Sequence, residues 1–193
     1  MAVRPLTAAL IAVALVAAPG AQSITKPGAP ESFRANGQVL GAAGGAASTI
    51  HIQIEKYTSD ADHAALASTL KQGGYDAFVA ALRKAPAVGS LKVGNRSVEI
   101  HWARQQAQGG GRRIAVATAE PVFFAGAGAV DAKPTAGYDV AVAEFTVDST
   151  GLGKGSMAPA AKVKAGGPTG VEIEDYSGKK IELLTVSRNL PGK

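Results

Sequence analysis

Hydrophobic and polar positions alternate most cleanly between Ser48 and Tyr57. Ile50, Ile52 and Ile54 point one way, and His51, Gln53 and Glu55 point the other. A two-residue period is the mark of a half-buried strand. Val98, Ile100 and Trp102 alternate with Glu99 and His101 in the same manner. Further strands are expected at 33–40, 91–93, 112–118, 138–147 and 152–164, the last broken at Pro159. A final hairpin is expected from 171–175 and 180–188 around Ser177-Gly178. The segment 138–147 is apolar on both faces, which fits a strand covered by two layers. The count is about eight to ten strands at roughly ten-residue spacing, the rhythm of an antiparallel sandwich or barrel.

One stretch departs from that rhythm. Thr58, Ser59 and Asp60 are good N-cap residues, and Asp60 and Asp62 suit the positive end of a helix dipole. Leu66 and Leu70 follow at i, i+4, and Gly73-Gly74 offers a stop. Tyr75, Phe78, Val79 and Leu82 then share one helical face, Arg83 and Lys84 fill its last turn, and Pro86 ends it. Two short helices joined at Gly-Gly are expected to form an αα-hairpin at about 59–85. The expected class is therefore α+β and β-dominated: an antiparallel sandwich or a curled barrel-like sheet, with a two-helix insertion after the second strand.

The start of the chain follows another pattern. Arg4 precedes an uncharged apolar run from Leu6 to Ala18, and Pro19-Gly20 and Ala21-Gln22-Ser23 follow. These are the three parts of a secretory leader, 1–23. The apolar run is too short to cross roughly 30 Å of hydrocarbon. No second long apolar run follows, so the mature chain is expected to carry no membrane span. Residues 24–31, with Pro27, Gly28 and Pro30, read as a flexible tether. Residues 32–190 form one β-rich domain. The expected destination is the periplasm or the medium.

Composition refines this picture. Hydrophobic residues make up 46% of the 193, but 39 of them are alanine, which buries little area. The core is therefore small-featured. There is no cysteine, which excludes disulfides, thiolate nucleophiles, Cys-ligated metals and a lipoprotein anchor. The formal charge is +5, or +4 without the leader's Arg4. The basic pairs Arg112-Arg113 and Lys179-Lys180 stand beside glycine as turn residues would. No clustered charge of the kind nucleic-acid modules use is present.

Candidate chemistry is sparse. His51 and His101 lie on the polar faces of two expected strands. If those strands are neighbours, the two rings and Glu55 or Glu99 could form a metal site. No compact metal motif supports that grouping, and strand polarity alone accounts for both rings. His63, in the first turns of the helical stretch, reads as a surface residue. Ser68-Thr-Leu-Lys71 matches S-x-x-K without the companion K-T-G and S-D-N elements. Gly151-Leu-Gly-Lys-Gly-Ser156 departs from the phosphate-loop pattern because Gly155 follows Lys154. It reads as a hairpin turn. Trp102, Phe123, Phe124 and Phe145 read as core, or as the lining of an apolar pocket in a curled sheet, with small-residue loops 41–47 and 125–137 around its mouth.

Three runs carry a resemblance: Gly94-Asn-Arg-Ser-Val-Glu-Ile-His-Trp-Ala-Arg104, Gly111-Arg-Arg-Ile-Ala-Val-Ala-Thr-Ala-Glu-Pro-Val122 and Gly151-Leu-Gly-Lys-Gly-Ser-Met-Ala-Pro-Ala-Ala-Lys162. They resemble an uncharacterised family of secreted bacterial, acidobacterial-type proteins. That resemblance implies export and a single domain, and it implies no activity or functional residue. The function expected is an exported, non-catalytic β-rich domain that binds a small molecule, an envelope polymer or a protein partner, with no catalytic residue and no cofactor. The alternatives are a metal-dependent or hydrolytic enzyme using His51 and His101, and a structural or assembly protein of the cell envelope.

Overall fold

The computed structural model describes residues 30–39, 47–123 and 135–189. The expected leader 1–23, most of the expected tether and the small-residue loops at 41–46 and 125–134 lie outside them. The elements run β1 (Glu31–Val39), β2 (Ala47–Ile54), α1 (Asp60–Lys84), β3 (Gly89–Val93), β4 (Arg96–Gln108), β5 (Gly111–Thr118), β6 (Val140–Val147), β7 (Leu152–Ala165), β8 (Val171–Tyr176) and β9 (Ile181–Asn189).

All pairings are antiparallel, in the order β6-β5-β4-β3-β2-β1-β9-β7-β8, and β6 also pairs with β7. That last pairing closes eight strands into a barrel and leaves β8 as an extension on β7. Of the two expected architectures, the barrel is the one present. At the closing seam, β7 runs very near β6. A Cβ on Gly153 would stand 1.7 Å from the Thr146 carbonyl oxygen, and one on Gly155 2.2 Å from that of Glu144. Only glycine fits there; Gly153 and Gly155 belong to β7, and the turn is made by residues 148–151, where Gly151 takes φ +84°.

Alternation places Phe33, Ile50, Ile52, Ile54, Ile100, Ile114, Phe145, Met157 and Ile181 inside the barrel, all essentially inaccessible to solvent. Phe33 and Phe145 meet edge-on at 5.0 Å, a favoured aromatic geometry. The interior is packed with side chains.

A second apolar cluster lies on the outer wall, under α1. Leu66, Leu70, Tyr75, Phe78, Val79 and Leu82 pack onto Trp102, Ala115, Ala117, Val142, Ala158 and Ala161. Burying each large side chain here contributes about 2 kcal/mol. The alanines have a purpose at these positions: small side chains on the wall let the helix approach closely.

Four expectations need correction. The two-helix insertion is one helical element, two helical limbs merged across a kink. Ser59 caps it, accepting from the Asp62 N–H at 3.1 Å, and it bends at Gly74, with φ +76° and ψ −170°. A single residue supplies the bend, so no loop separates two helices. Second, Pro159 does not break β7. It falls where β7 exchanges one edge partner for another, β9 pairing up to Met157 and β8 from Ala161. Its missing N–H therefore removes no ladder bond. Third, β8 and β9 do not form a hairpin with each other. Both run along the same side of β7, and β9 then also pairs with β1. Fourth, Glu31 belongs to no tether. It opens β1 and is 4% exposed.

Candidate functional site

Both ends of α1 return to β4. Before the helix, the Thr58 N–H donates to the Ala103 carbonyl at 2.9 Å, and the Thr58 hydroxyl accepts from the Ala103 N–H at 2.9 Å. After it, the Ala85 carbonyl accepts from His101 Nδ1 at 2.8 Å. With the bend at Gly74, the helix leaves the barrel wall and comes back as two limbs. Between them is a cleft of about 460 Å³.

The first limb contributes Asp62, Ala65, Leu66 and Thr69 to the cleft. The second contributes Ala81, Lys84 and Ala85. Residues 56–59, with Pro86, Val88 and His101, complete the wall. Most of the surface it exposes is apolar, and several of its side chains are small. Its volume lies within the range of small-ligand pockets, which combine apolar walls with a few polar groups. The polar groups here are partly committed. The Thr69 hydroxyl donates to the Ala65 carbonyl at 2.9 Å, and Asp62 accepts from the Ser59 hydroxyl at 2.6 Å. Lys56 and Lys84 are exposed at the rim. A larger hollow of about 810 Å³ runs beside the bend at Gly74. Lys71, Asp76, Lys162, Lys164 and Glu174 line it, so its walls are charged and of mixed sign.

His101 sits in the cleft wall because of a β-bulge. The β4–β5 register shifts between Ile100 and Trp102. Ile100 faces the barrel interior, and Trp102 is turned to the outer wall under α1. The extra residue shifts the alternation by one. A strict two-residue period would have put Val98, Ile100 and Trp102 on one face. The Ala85 carbonyl can only accept, so His101 Nδ1 carries the proton of their bond. Nε2 points to Glu99 Oε2, 3.6 Å away.

The expected histidine pair does not assemble. β3 lies between β2 and β4. His51 is exposed on β2, with Arg34 and Lys92 as its cross-strand neighbours. Glu55 follows β2, exposed, and its backbone N–H donates to Val88. Only Glu99 stands beside His101. Among the described residues no group of three or more His, Asp or Glu is placed to hold a metal ion. Of the S-x-x-K residues, the Ser68 hydroxyl accepts from Gln72 at 2.9 Å, and Lys71 is exposed.

Two polar assemblies were not foreseen. His63 is half-buried. Its Nδ1 accepts from the Trp102 indole N–H at 3.2 Å, and a Cβ on Gly170 would stand 2.7 Å from its ring. Burial, and then the Arg104 charge, lower its pKa below the usual histidine value. The signal for this was periodic, since His63 precedes Leu66 and Leu70 by three and seven residues on one helical face.

The second assembly closes the barrel end where β1 begins and β9 ends. The Glu31 carboxylate accepts from Arg112 through both oxygens, from Arg188 Nε at 2.9 Å and from the Tyr57 hydroxyl at 3.0 Å. Arg112 also donates to Gln105 at 2.7 Å and lies 5.9 Å above the Phe33 ring. Burial pushes the Glu31 pKa up, but the Arg112 bond and charge, with Tyr57 and Arg188, leave it below the ordinary value. Burial and then the Glu31 charge push the Tyr57 phenol up. This end is a satisfied structural plug.

No known protein family, curated protein or solved structure matches the chain.

Proposed function

We propose that this is an exported, non-catalytic domain that binds a small, largely apolar molecule in the cleft between the limbs of α1. One observation carries the reading. The cleft combines an apolar lining with a volume of about 460 Å³, while the barrel interior is filled by its own side chains. A ligand site therefore belongs outside the barrel. Export rests on the leader-like pattern at 1–23 and on the resemblance to secreted bacterial proteins.

The test is titration calorimetry and thermal denaturation with neutral, medium-chain alkyl probes. Binding to the folded state raises Tm, by an amount that grows with the logarithm of free probe concentration above Kd. Ala81→Trp fills the cleft from the second limb and is expected to abolish the Tm rise while the unliganded protein stays folded. Probe binding that survives this substitution places the ligand elsewhere and ends the proposal.

The assembly reading has one specific support. Among the described residues the outer edge of β8 pairs with nothing, and a free edge can take a strand from a partner. It predicts a mass in solution above that of one chain.

A further inference from the structure

We infer that the cleft selects an amphipathic anion, a single alkyl chain ending in a carboxylate, with Lys56 and Lys84 holding the head group at the rim. This rests on the cleft being the ligand site.

Charge supplies the argument. Lys56 precedes α1 and Lys84 ends it, so the two cations reach the same cleft from the two ends of the helical element. Neither forms an ion pair with another described residue. Two arginines beside α1 are occupied: Arg83 pairs with Asp139 and Arg104 with Asp60. Asp60 at the start of α1 pairs with Arg104, 2.9 Å away, and with neither lysine. The one acidic group in the cleft lining, Asp62, is bonded to Ser59 at the helix start. An apolar trough with two uncommitted cations at its edge is complementary to a chain with one anionic end. A ligand cation would meet two lysines against the single Asp62 carboxylate, and a neutral chain would leave both lysines solvated as before.

The alkyl part and the head group make separable predictions. Each methylene buried in the trough is expected to tighten binding about three- to fourfold until the trough is full. The head group meets two solvent-exposed lysines, whose contributions are modest and screened by salt. A preference of about fivefold for a carboxylate over its methyl ester is expected at low ionic strength, shrinking as salt rises.

The experiment titrates the protein with saturated carboxylates of eight to twelve carbons and their methyl esters, below micelle-forming concentrations. The double variant Lys56→Ala, Lys84→Ala is titrated in parallel. Both lysines are exposed, and near-ultraviolet circular dichroism checks that the variant keeps its fold. The expected result is a carboxylate preference in the wild type that falls to within twofold of unity in the double variant, with ester affinity unchanged. Equal affinity for acid and ester in the wild type overturns the head-group assignment and leaves the cleft reading standing. Failure of every probe to bind overturns both. A carboxylate preference that persists in the double variant places the anion on other residues and also overturns the assignment.

Discussion

Glu31 is the residue on which the closed end of the barrel depends. Its side chain is 2% exposed, and its two arginines come from β5 and β9. Removing one partner of a buried pair leaves the others uncompensated. Glu31→Gln is expected to cost about 2–3 kcal/mol in urea denaturation at neutral pH, and a loss under about 0.5 kcal/mol would contradict this role. The pH dependence has a definite sign. The folded carboxylate titrates below its ordinary value of 4.5, so the unfolded chain takes up the proton first on acidification. The contribution is full above about pH 4.5 and fades as pH falls through the folded value. Wild-type stability should fall more steeply there than that of Glu31→Gln. None of this was legible locally. Pro27, Gly28 and Pro30 gave the segment ending at Glu31 the composition of a tether. Its partners lie 81 and 157 residues further along the chain, beyond the reach of any periodic pattern.

At the scale of elements, strands read well where one face is buried and the other wet. Ile50, Ile52 and Ile54 are the clearest case. The reading slipped where the backbone leaves its regular period. The bulge at His101 turned Trp102 outward, and the exchange of partners around Pro159 made one long strand of two expected pieces. In each case the deciding feature is a shift of register or of partner between paired strands, which alternation along one strand does not contain. The helix shows the converse. Gly73-Gly74 marked the place where direction changes, but the number of residues needed for the change is a matter of backbone geometry. Gly74 supplies it alone, at φ +76° and ψ −170°. That region is almost closed to residues with a Cβ, and the strain is on the order of 1–3 kcal/mol. A Cβ there would touch nothing within 4 Å, so Gly74→Ala isolates the backbone effect. It is expected to lower stability by about 1–3 kcal/mol and to weaken probe binding, because the bend sets the spacing of the two limbs. Unchanged stability would mean that α1 reaches the same path without a left-handed residue at that point.

On the scale of the whole molecule, two apolar cores share one wall. The inner core is enclosed by eight strands, each paired on both sides. The outer core is a single helix held by one face against alanine-rich strands. The modest apolar content seen in the sequence is thus divided unequally. The large β-branched and aromatic side chains are mostly inside, and outside the helix depends on Leu66, Leu70, Tyr75, Phe78, Val79, Leu82 and Trp102. Tyr75 adds a polar anchor: its hydroxyl donates to the Ala161 carbonyl at 2.9 Å and accepts from the Asp139 N–H at 2.6 Å. Burial pushes its pKa up to about 12, so the anchor keeps its proton at neutral pH. Lifting α1 exposes one face of the wall and leaves the barrel's ladder bonds intact. Opening the barrel breaks ladders on both sides of a strand and floods the inner core. Local opening should therefore begin at the helix, the element that carries the proposed cleft. Native-state hydrogen exchange tests this directly. Amides of α1 are expected to exchange through openings that cost on the order of 2 kcal/mol less than those of β1, β2 and β9. A bound alkyl carboxylate should narrow that gap by protecting both limbs at once, since it contacts both. Equal protection of helix and barrel without ligand would show that the two cores unfold as one unit. Ligand protection confined to one limb would place the ligand outside the cleft.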